Sequence, residues 1–484
     1  MKGEKNYVRM KMDSIDIGET GGLRVKLSGK RVRRRRISYV SETDKEKRVM
    51  SPLEAEKKHR EIYSGLGVVS ASAHRQAARS KRLKARRTIA LSPAPTPVTA
   101  PKTGFARIVS DFKKGIFEHF KRFDFWFLFA IVVVGVFGIL AVHSATLTEA
   151  NHRRSDFLQI GGFVVGLFAI IVLPYFDYGE LIKRGRLVFL INVGLLLFTL
   201  IFGKSVTGDS NRNWVDLGFT MIQPAEFSKV LFIISLASHL EKVKDTLNRV
   251  PTLLGVLCHG GVIIALVLGE KDWGNALVFI AIFAFMLFAA RLDVKYIIGS
   301  IALAVVSFPL VWDSLSEFRK RRVLIGFNPD LDPSGFGHQV IRSRSAIASG
   351  GLFGQGYMQG ATIQQKNALF AKHTDMIFAV IGQELGFVGC ALLIVSFIFL
   401  VWRVIRCAGK ARDYAGTYIC AGVAGMLIFQ FIINLGMALG ISPVVGITLP
   451  LVSYGTSSLL CVYAALAVVM TVYVNSGSYS YRGI

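Results

Sequence analysis

Asp375 closes the polar run Lys372-His373-Thr374-Asp375, and the chain turns apolar at once through Met376-Ile377-Phe378-Ala379-Val380-Ile381. A carboxylate at such a junction sits where a membrane segment meets water. An ionisable group at that depth is expensive to desolvate and is usually retained for function. With Lys372 nearby it can stay charged while bulk water is excluded, which are the conditions for a general base. The position equally suits a helix N-cap, in which Thr374 or Asp375 accepts backbone N–H groups. One carboxylate can do both.

Other groups have the right chemistry in less specific settings. The connection 313–375 is basic, with Arg319, Lys320, Arg321, Arg322, Arg342, Arg344, Lys366 and Lys372 against Asp313, Glu317, Asp330, Asp332 and Asp375. It also holds the run Ser349-Gly350-Gly351-Leu352-Phe353-Gly354-Gln355-Gly356. Guanidinium groups suit bidentate phosphate binding, and glycines let backbone N–H groups approach an anion. On composition alone, turns and contacts with acidic lipid headgroups are the plainer account.

Glu226 and Lys229 follow Pro224 at a first helical position and share a helix face, so they can pair. They either orient a substrate group or hold the bundle together. Arg212 and Trp214 either contact substrate or mark the interface belt, the usual place for Trp. Glu384 would lie on the opposite side of a continuous helix from Asp375, so the two are no acid/base pair and an interior contact is expected. Asn434, His239 and His259 read as interhelical hydrogen-bonding groups. His373 has no second His or Cys at ligand spacing, so no metal site is assigned. Ser453 lacks a His base and is not read as a nucleophile.

A bundle of membrane helices must position these groups. The 484 residues are 52% hydrophobic with a mean hydropathy of +0.46. We expect an all-α polytopic membrane protein of about ten helices, each near the length that spans hydrocarbon. The segments are 125–145, 157–175, 186–203, 223–240, 252–269, 274–290, 295–312, 376–403, 414–440 and 447–474, with a large extracytoplasmic loop between the seventh and eighth. Pro443, Pro450 and Ser453-Tyr454-Gly455-Thr456-Ser457-Ser458 predict a broken or re-entrant segment, tolerated only against protein or a wet cavity.

The net charge of +26 is uneven, since residues 1–123 hold 31 Lys/Arg against 12 Asp/Glu. Residues 1–104 read as a basic, disordered cytoplasmic extension ending in a Pro-rich linker, and 105–123 as an interfacial amphipathic segment. The transmembrane domain is 124–475, and 476–484 form a short cytoplasmic tail. With both termini cytoplasmic, Lys183, Arg184, Arg186, Lys242, Lys244, Arg249, Arg291, Lys295, Arg403, Arg406, Lys410 and Arg412 obey the positive-inside rule. His152-Arg153-Arg154 and the 313–375 connection are exceptions. The extension suits anionic headgroups; without a nucleic-acid-binding fold, nucleic acid is not an expected partner. Cys258, Cys390, Cys407, Cys420 and Cys461 lie in or beside apolar segments and read as packing residues. The first apolar segment starts near residue 125, so no signal peptide is read.

The stretch AKHTDMIFAVIGQELGFVG at 371–389 resembles the signature of the SEDS family, the FtsW, RodA and SpoVE proteins of bacterial cell-wall synthesis. So do NWVDLG at 213–218 with QPAEFSK at 223–229, and NLGM at 434–437 with PVVG at 443–446 and LPLVSYGTSS at 449–458. The likeness spans roughly 124–475. It implies a glycosyltransferase of the bacterial cytoplasmic membrane that polymerises lipid II into glycan strands at the outer face, in elongation, division or sporulation. It also implies a class B penicillin-binding protein as cross-linking partner. Asp375 matches the catalytic Asp of the family's HTD motif and would activate the acceptor hydroxyl. Lys372, Arg342 and Arg344 are candidates to stabilise the departing pyrophosphate, the two Args from position rather than motif. Glu226 and Lys229 match the QPxExxK motif, and His373, Thr374, Arg212, Trp214, Glu384 and Ser453 complete the substrate-binding candidates. No cofactor is assigned, and a divalent cation, Mg²⁺ or Mn²⁺, stays open.

Three departures stand out: Phe370-Ala371 where Pro-Glu is common, Gln383 for the first of two acids, and Thr456 for the second Gly of SYGG. Asn434–Met437 and Pro443–Gly446 lean toward RodA, whereas Gly446–Pro450 is equally at home in division or sporulation members. Two alternatives compete: a flippase for the lipid-linked precursor, which needs a polar route across the bilayer, and a scaffold that only recruits a penicillin-binding protein.

Overall fold

The computed structural model describes residues 12–17, 23–27 and 121–476, apart from 206–211, 217, 219–220, 334, 366–368 and 370. The chain divides into two units, Met1–Pro101 and Lys102–Ile484. In the first, β1 (Met12–Ile17) and β2 (Leu23–Leu27) pair as an antiparallel hairpin with Ile15 opposite Val25. The expectations for the rest of 1–104, for nearly all of the 105–123 segment and for the tail beyond 476 fall outside the described residues.

The second unit is helical. In chain order come α1 (Phe125–Thr146), α2 (His152–Val172), α3 (Tyr178–Lys183), α4 (Gly185–Phe202), α5 (Pro224–Val243), α6 (Val250–Gly269), α7 (Trp273–Ala289) and α8 (Val294–Ser314). They continue as α9 (Glu317–Phe327), α10 (Phe336–Ser349), α11 (Ile377–Ala408), α12 (Tyr414–Leu439) and α13 (Thr456–Asn475). A two-stranded ribbon, β3 (Val215–Asp216) with β4 (Met221–Ile222), joins α4 to α5. Nine of the ten expected apolar segments coincide with one of these helices; the tenth, 447–474, is helical only from Thr456, because Pro450 and the positive φ of Gly446 and Leu451 keep 447–455 irregular. Among the described residues, 7 helices are long and apolar enough to cross a membrane. Helices α7 and α8 carry shorter apolar stretches, Trp273–Ala289 and Val294–Leu310. The apolar run of α5 is interrupted by Glu226, Lys229, Glu241 and Lys242.

Large apolar side chains such as Phe157, Phe168, Leu190 and Val306 face outward, whereas α13 and α12 form the interior with Tyr463, Leu466 and Met426 fully enclosed. That distribution would be costly in water and suits a lipid surround. At one end, Asp124 caps α1 by accepting from Phe127 N at 3.0 Å, and its carboxylate also pairs with Arg403 near the end of α11. Arg184, Arg291 and Arg412 lie in connections at this end, whereas Arg153, Arg154, Lys204 and Lys271 lie in or beside connections at the other. Asp375 lies at the other, just before α11 begins.

Helix α11 is broken at Gly386, whose φ of 64° and ψ of −162° leave the helical region. The break exposes carbonyl groups that need partners, and the glycine run supplies them. Gln355 N donates to Gln383 O at 2.9 Å and Gly356 N to Glu384 O at 3.1 Å, while Phe387 N and Val388 N donate to Gly351 O and Leu352 O. A Cβ on Gly386 would meet Gly354 N at 2.3 Å, so this backbone-to-backbone approach demands glycine. The Gln355 and Gly356 N–H groups are thus spent on the broken helix rather than on an anion, as the turn reading of the run implies.

Lys229 Nζ lies 2.8 Å from Glu226 Oε2, with both side chains buried. The pair is tied to α13, where Cys461 Sγ donates to Glu226 O at 2.8 Å. Removing one charge strands the other in the apolar interior. Lys229→Met should therefore lower stability by about 3–5 kcal/mol, and the Glu226→Gln/Lys229→Met pair should recover most of it. Thermal unfolding in detergent reads the difference; a single variant as stable as wild type would contradict the buried pair.

Candidate active site

The turn before α11 is built by its backbone. Met376 N and Thr374 N donate to Ala371 O at 2.9 and 3.2 Å, folding 371–376 tightly. Three successive carbonyls then point into the bundle and each finds a separate donor. Tyr454 N donates to His373 O at 2.8 Å, Ser453 Oγ to Thr374 O at 2.6 Å, and Asn434 Nδ2 to Asp375 O at 2.9 Å. Asn434 Nδ2 also donates to Ile447 O at 2.8 Å, joining α12, the irregular 440–455 segment and the turn.

With its backbone held, the Asp375 side chain projects toward Gly446 and Arg322. A Cβ placed on Gly446, whose φ is +75°, would lie 3.7 Å from Asp375 Oδ2, so this glycine is the carboxylate's neighbour on that side. The N-cap of α11 is Met376 and no side chain caps the helix, so Asp375 does not serve as the cap that the sequence allowed. Burial pushes its carboxyl from 3.8 up to about 6, against the pull of the Arg322 guanidinium.

The other predicted residues divide by position. Lys372, buried, donates to Thr148 Oγ1 and Ile363 O, both at 2.9 Å. Burial lowers its pKa, opposed by Glu149 and Glu384. His373 Nδ1 lies 3.0 Å from Glu149 Oε1, with its ring edge-on to Tyr454. Lys372 and His373 thus brace the turn against the α1–α2 connection. Arg344 donates to Leu439 O and Gly440 O, each at 2.8 Å, capping the C-terminus of α12. Those bonds engage its guanidinium with the carbonyls at the end of α12. Arg342 is exposed, with Nε 3.4 Å from His338 Nε2.

Glu384 accepts from Ser144 Oγ at 2.5 Å and from Gln364 Nε2 at 3.3 Å. It borders a cavity of about 260 Å³ between α1 and α11 that does not have Asp375 in its walls. Gln383 accepts from Ile363 N and donates to Ser349 Oγ and Thr362 Oγ1, so its amide links α10, α11 and the 360s. Trp214 is tied through its backbone to Lys204, and Arg212 beside it is exposed. Phe370 lies outside the described residues.

Arg322 is the cation that sequence reasoning left out of the site. It sits on α9 three residues after Arg319, which stacks over the Trp273 ring at 5.0 Å. The signal was the basic run 319–322 in a connection where the positive-inside rule fails; nothing in the run singled out one Arg.

Together these features define a polytopic helical membrane protein with a carboxylate of raised pKa at one end of its bundle. The family model described as cell cycle protein, FtsW/RodA/SpoVE, matches residues 123–477, and the chain belongs to that family. It is 33% identical over 363 residues to the probable peptidoglycan glycosyltransferase FtsW of Trichlorobacter lovleyi, covering 72% of this chain and 93% of that protein. It is 32% identical over 352 residues to stage V sporulation protein E of Bacillus subtilis, covering 69% and 92%. A solved structure described as structural coordination of polymerization and crosslinking by a peptidoglycan synthase complex superposes with a TM-score of 0.64 at 28% identity, over 75% of this chain and 99% of that one. The near-equal likeness to FtsW and to a sporulation protein does not select a branch.

Infrared titration of the Asp375 carboxyl, by difference from Asp375→Asn, should give a midpoint near pH 6. In Arg322→Ala the midpoint should move up, because the cation that lowers it is gone. A midpoint near 3.8, or one unmoved by the Arg322 change, would contradict this geometry.

Proposed function

We propose that this multi-pass membrane protein is a peptidoglycan glycosyltransferase in which Asp375 is the general base. The supporting observation is the Asp375 carboxylate itself: held by three backbone clamps, free of any capping bond, and raised to about 6 beside Arg322. In the reaction, Asp375 takes the proton of an acceptor sugar hydroxyl. The hydroxyl oxygen forms the new bond to the anomeric carbon of the lipid-linked donor. The bond from that carbon to pyrophosphate breaks, and the lipid pyrophosphate leaves with the electron pair. Arg322 on α9, whose guanidinium acts on Asp375, is assigned as the stabiliser of that departing charge, with exposed Arg342 and Arg212 as further candidate cations. Lys372, His373, Thr374 and Ser453 act as braces for the base, and Glu226 with Lys229 and Glu384 as interior supports for the helices around it.

Lipid II is the substrate this reading assigns, and a class B penicillin-binding protein the cross-linking partner; the likeness to a peptidoglycan synthase complex supports the second. The Lys and Arg of the α3–α4, α5–α6, α7–α8 and α11–α12 connections, opposite Asp375, support cytoplasmic termini and an outward-facing site in the cytoplasmic membrane, the basic 313–375 connection being the exception.

The test supplies fluorescent lipid II to the purified full-length chain, with its partner if required. Wild type should form glycan polymer, and Asp375→Ala and Asp375→Asn should lose about 10²–10⁴-fold in rate. The acid limb follows from the sign of the shift: the base works only when ionised, so activity should fall by half near pH 6 and continue falling below it. Equal polymer from Asp375→Ala would overturn the mechanism. Lipid movement across vesicles without polymer would favour a flippase.

A further inference from the structure

The connection between α1 and α2 gathers three metal-ligating groups that the proposed chemistry does not use. His143 in the last turn of α1, with His152 and Asp156 at the start of α2, each offer one ligand atom, and these atoms all lie within 4.8 Å of one another. Asp156 Oδ2 is 2.8 Å from His143 Nδ1 and 3.3 Å from His152 Nε2. The side chains are 34%, 22% and 21% exposed for His143, His152 and Asp156, so an ion can reach them from solvent.

Hydrogen bonding around His152 adds to the proximity. The buried Thr146 hydroxyl donates its one proton to Val142 O at 2.9 Å. With that proton on Val142 O, its oxygen is placed to accept from His152 in the Nδ1–H tautomer, also at 2.9 Å. In the neutral ring this leaves the lone pair on Nε2, aimed at the Asp156 carboxylate. Two acceptors facing each other at 3.3 Å repel unless a proton or a metal ion stands between them. Metal-binding imidazoles commonly have this arrangement, with the second ring N–H held by a neighbour that fixes the tautomer.

We propose that His143 Nδ1, His152 Nε2 and Asp156 Oδ2 bind one divalent transition-metal ion of the Zn²⁺ class. Two imidazoles and a carboxylate form a borderline-soft N/O set, with the remaining coordination open to water. The ion is structural. Thr148 and Glu149, in the same connection, contact Lys372 and His373, so the ion would stiffen the strap on which the Asp375 turn rests.

The test uses tag-free, full-length protein in detergent, stripped by a chelator and dialysed against Zn²⁺ alone at neutral pH, with metal content measured directly. Wild type should take up one Zn²⁺ per chain, and Co²⁺ in its place should show the visible absorption of a low-coordinate site. His152→Gln and Asp156→Asn should weaken uptake at least tenfold. Thr146→Val keeps all the ligands but loses the oxygen that sets the tautomer, and should weaken it about 10–100-fold. Asp375→Ala should bind as wild type does, so the result is independent of whether sugar transfer is confirmed. No stoichiometric uptake by wild type would overturn the proposal and mean that a proton alone bridges His152 and Asp156. Uptake undiminished in a folded His152→Gln, checked by gel filtration, would also overturn it by placing the ion elsewhere.

Discussion

The orientation of the Asp375 carboxylate depends on three neighbouring carbonyls, those of His373, Thr374 and Asp375, being held by Tyr454, Ser453 and Asn434. Each such bond contributes only about 1 kcal/mol, but a buried carbonyl left without its donor costs more than that. The dependence runs both ways. The segment that supplies Ser453 and Tyr454 cannot be helical, because Pro443 and Pro450 interrupt it and Gly446 and Leu451 take positive φ. Irregular backbone at membrane depth survives only when its groups are satisfied by protein. The turn before α11 and the break before α13 therefore stabilise each other, and the acid lies where they meet.

Holding the acid there costs stability. The folded chain keeps the Asp375 proton up to about pH 6, whereas the ordinary value is 3.8. Between those values the folded state binds more protons than the unfolded one, so stability falls as pH rises, by about 3 kcal/mol once both are ionised. Nothing in the packing requires a carboxylate at that point, since α11 is not capped by it. A local loss without a structural return is what a reactive group looks like in a fold whose other choices agree.

The helices were legible because apolar runs of membrane length leave the backbone no alternative in lipid, and Asp375 was legible because it ends a polar run at such a boundary. The roles of its neighbours were not. Lys372 and Asp375 are close in sequence, yet the Lys372 amine turns away to Thr148 and Ile363, partners set by tertiary packing. Arg344 carries the right group for phosphate but meets the unsatisfied carbonyls at the end of α12. The glycine run could cradle an anion only with free N–H groups; the break at Gly386, invisible in composition, claims those of Gln355 and Gly356. The His143, His152 and Asp156 cluster was not legible because its pairing comes from two helices folding back across a short connection.

One cation beside the base has a further consequence for the proposed reaction. Arg322 lowers the Asp375 pKa while the site holds no anion. A pyrophosphate drawn to Arg322 would neutralise much of that influence, and the Asp375 pKa would climb. A higher pKa makes a stronger base but leaves less of it ionised, and the two trends balance when the pKa nears the working pH. Starting from about 6, the carboxyl can rise by about one unit at neutral pH before half of it is protonated. Substrate binding would thus strengthen the base without silencing it. An acid starting near its ordinary value would stay a weak base, and one buried without Arg322 would hold its proton to higher pH.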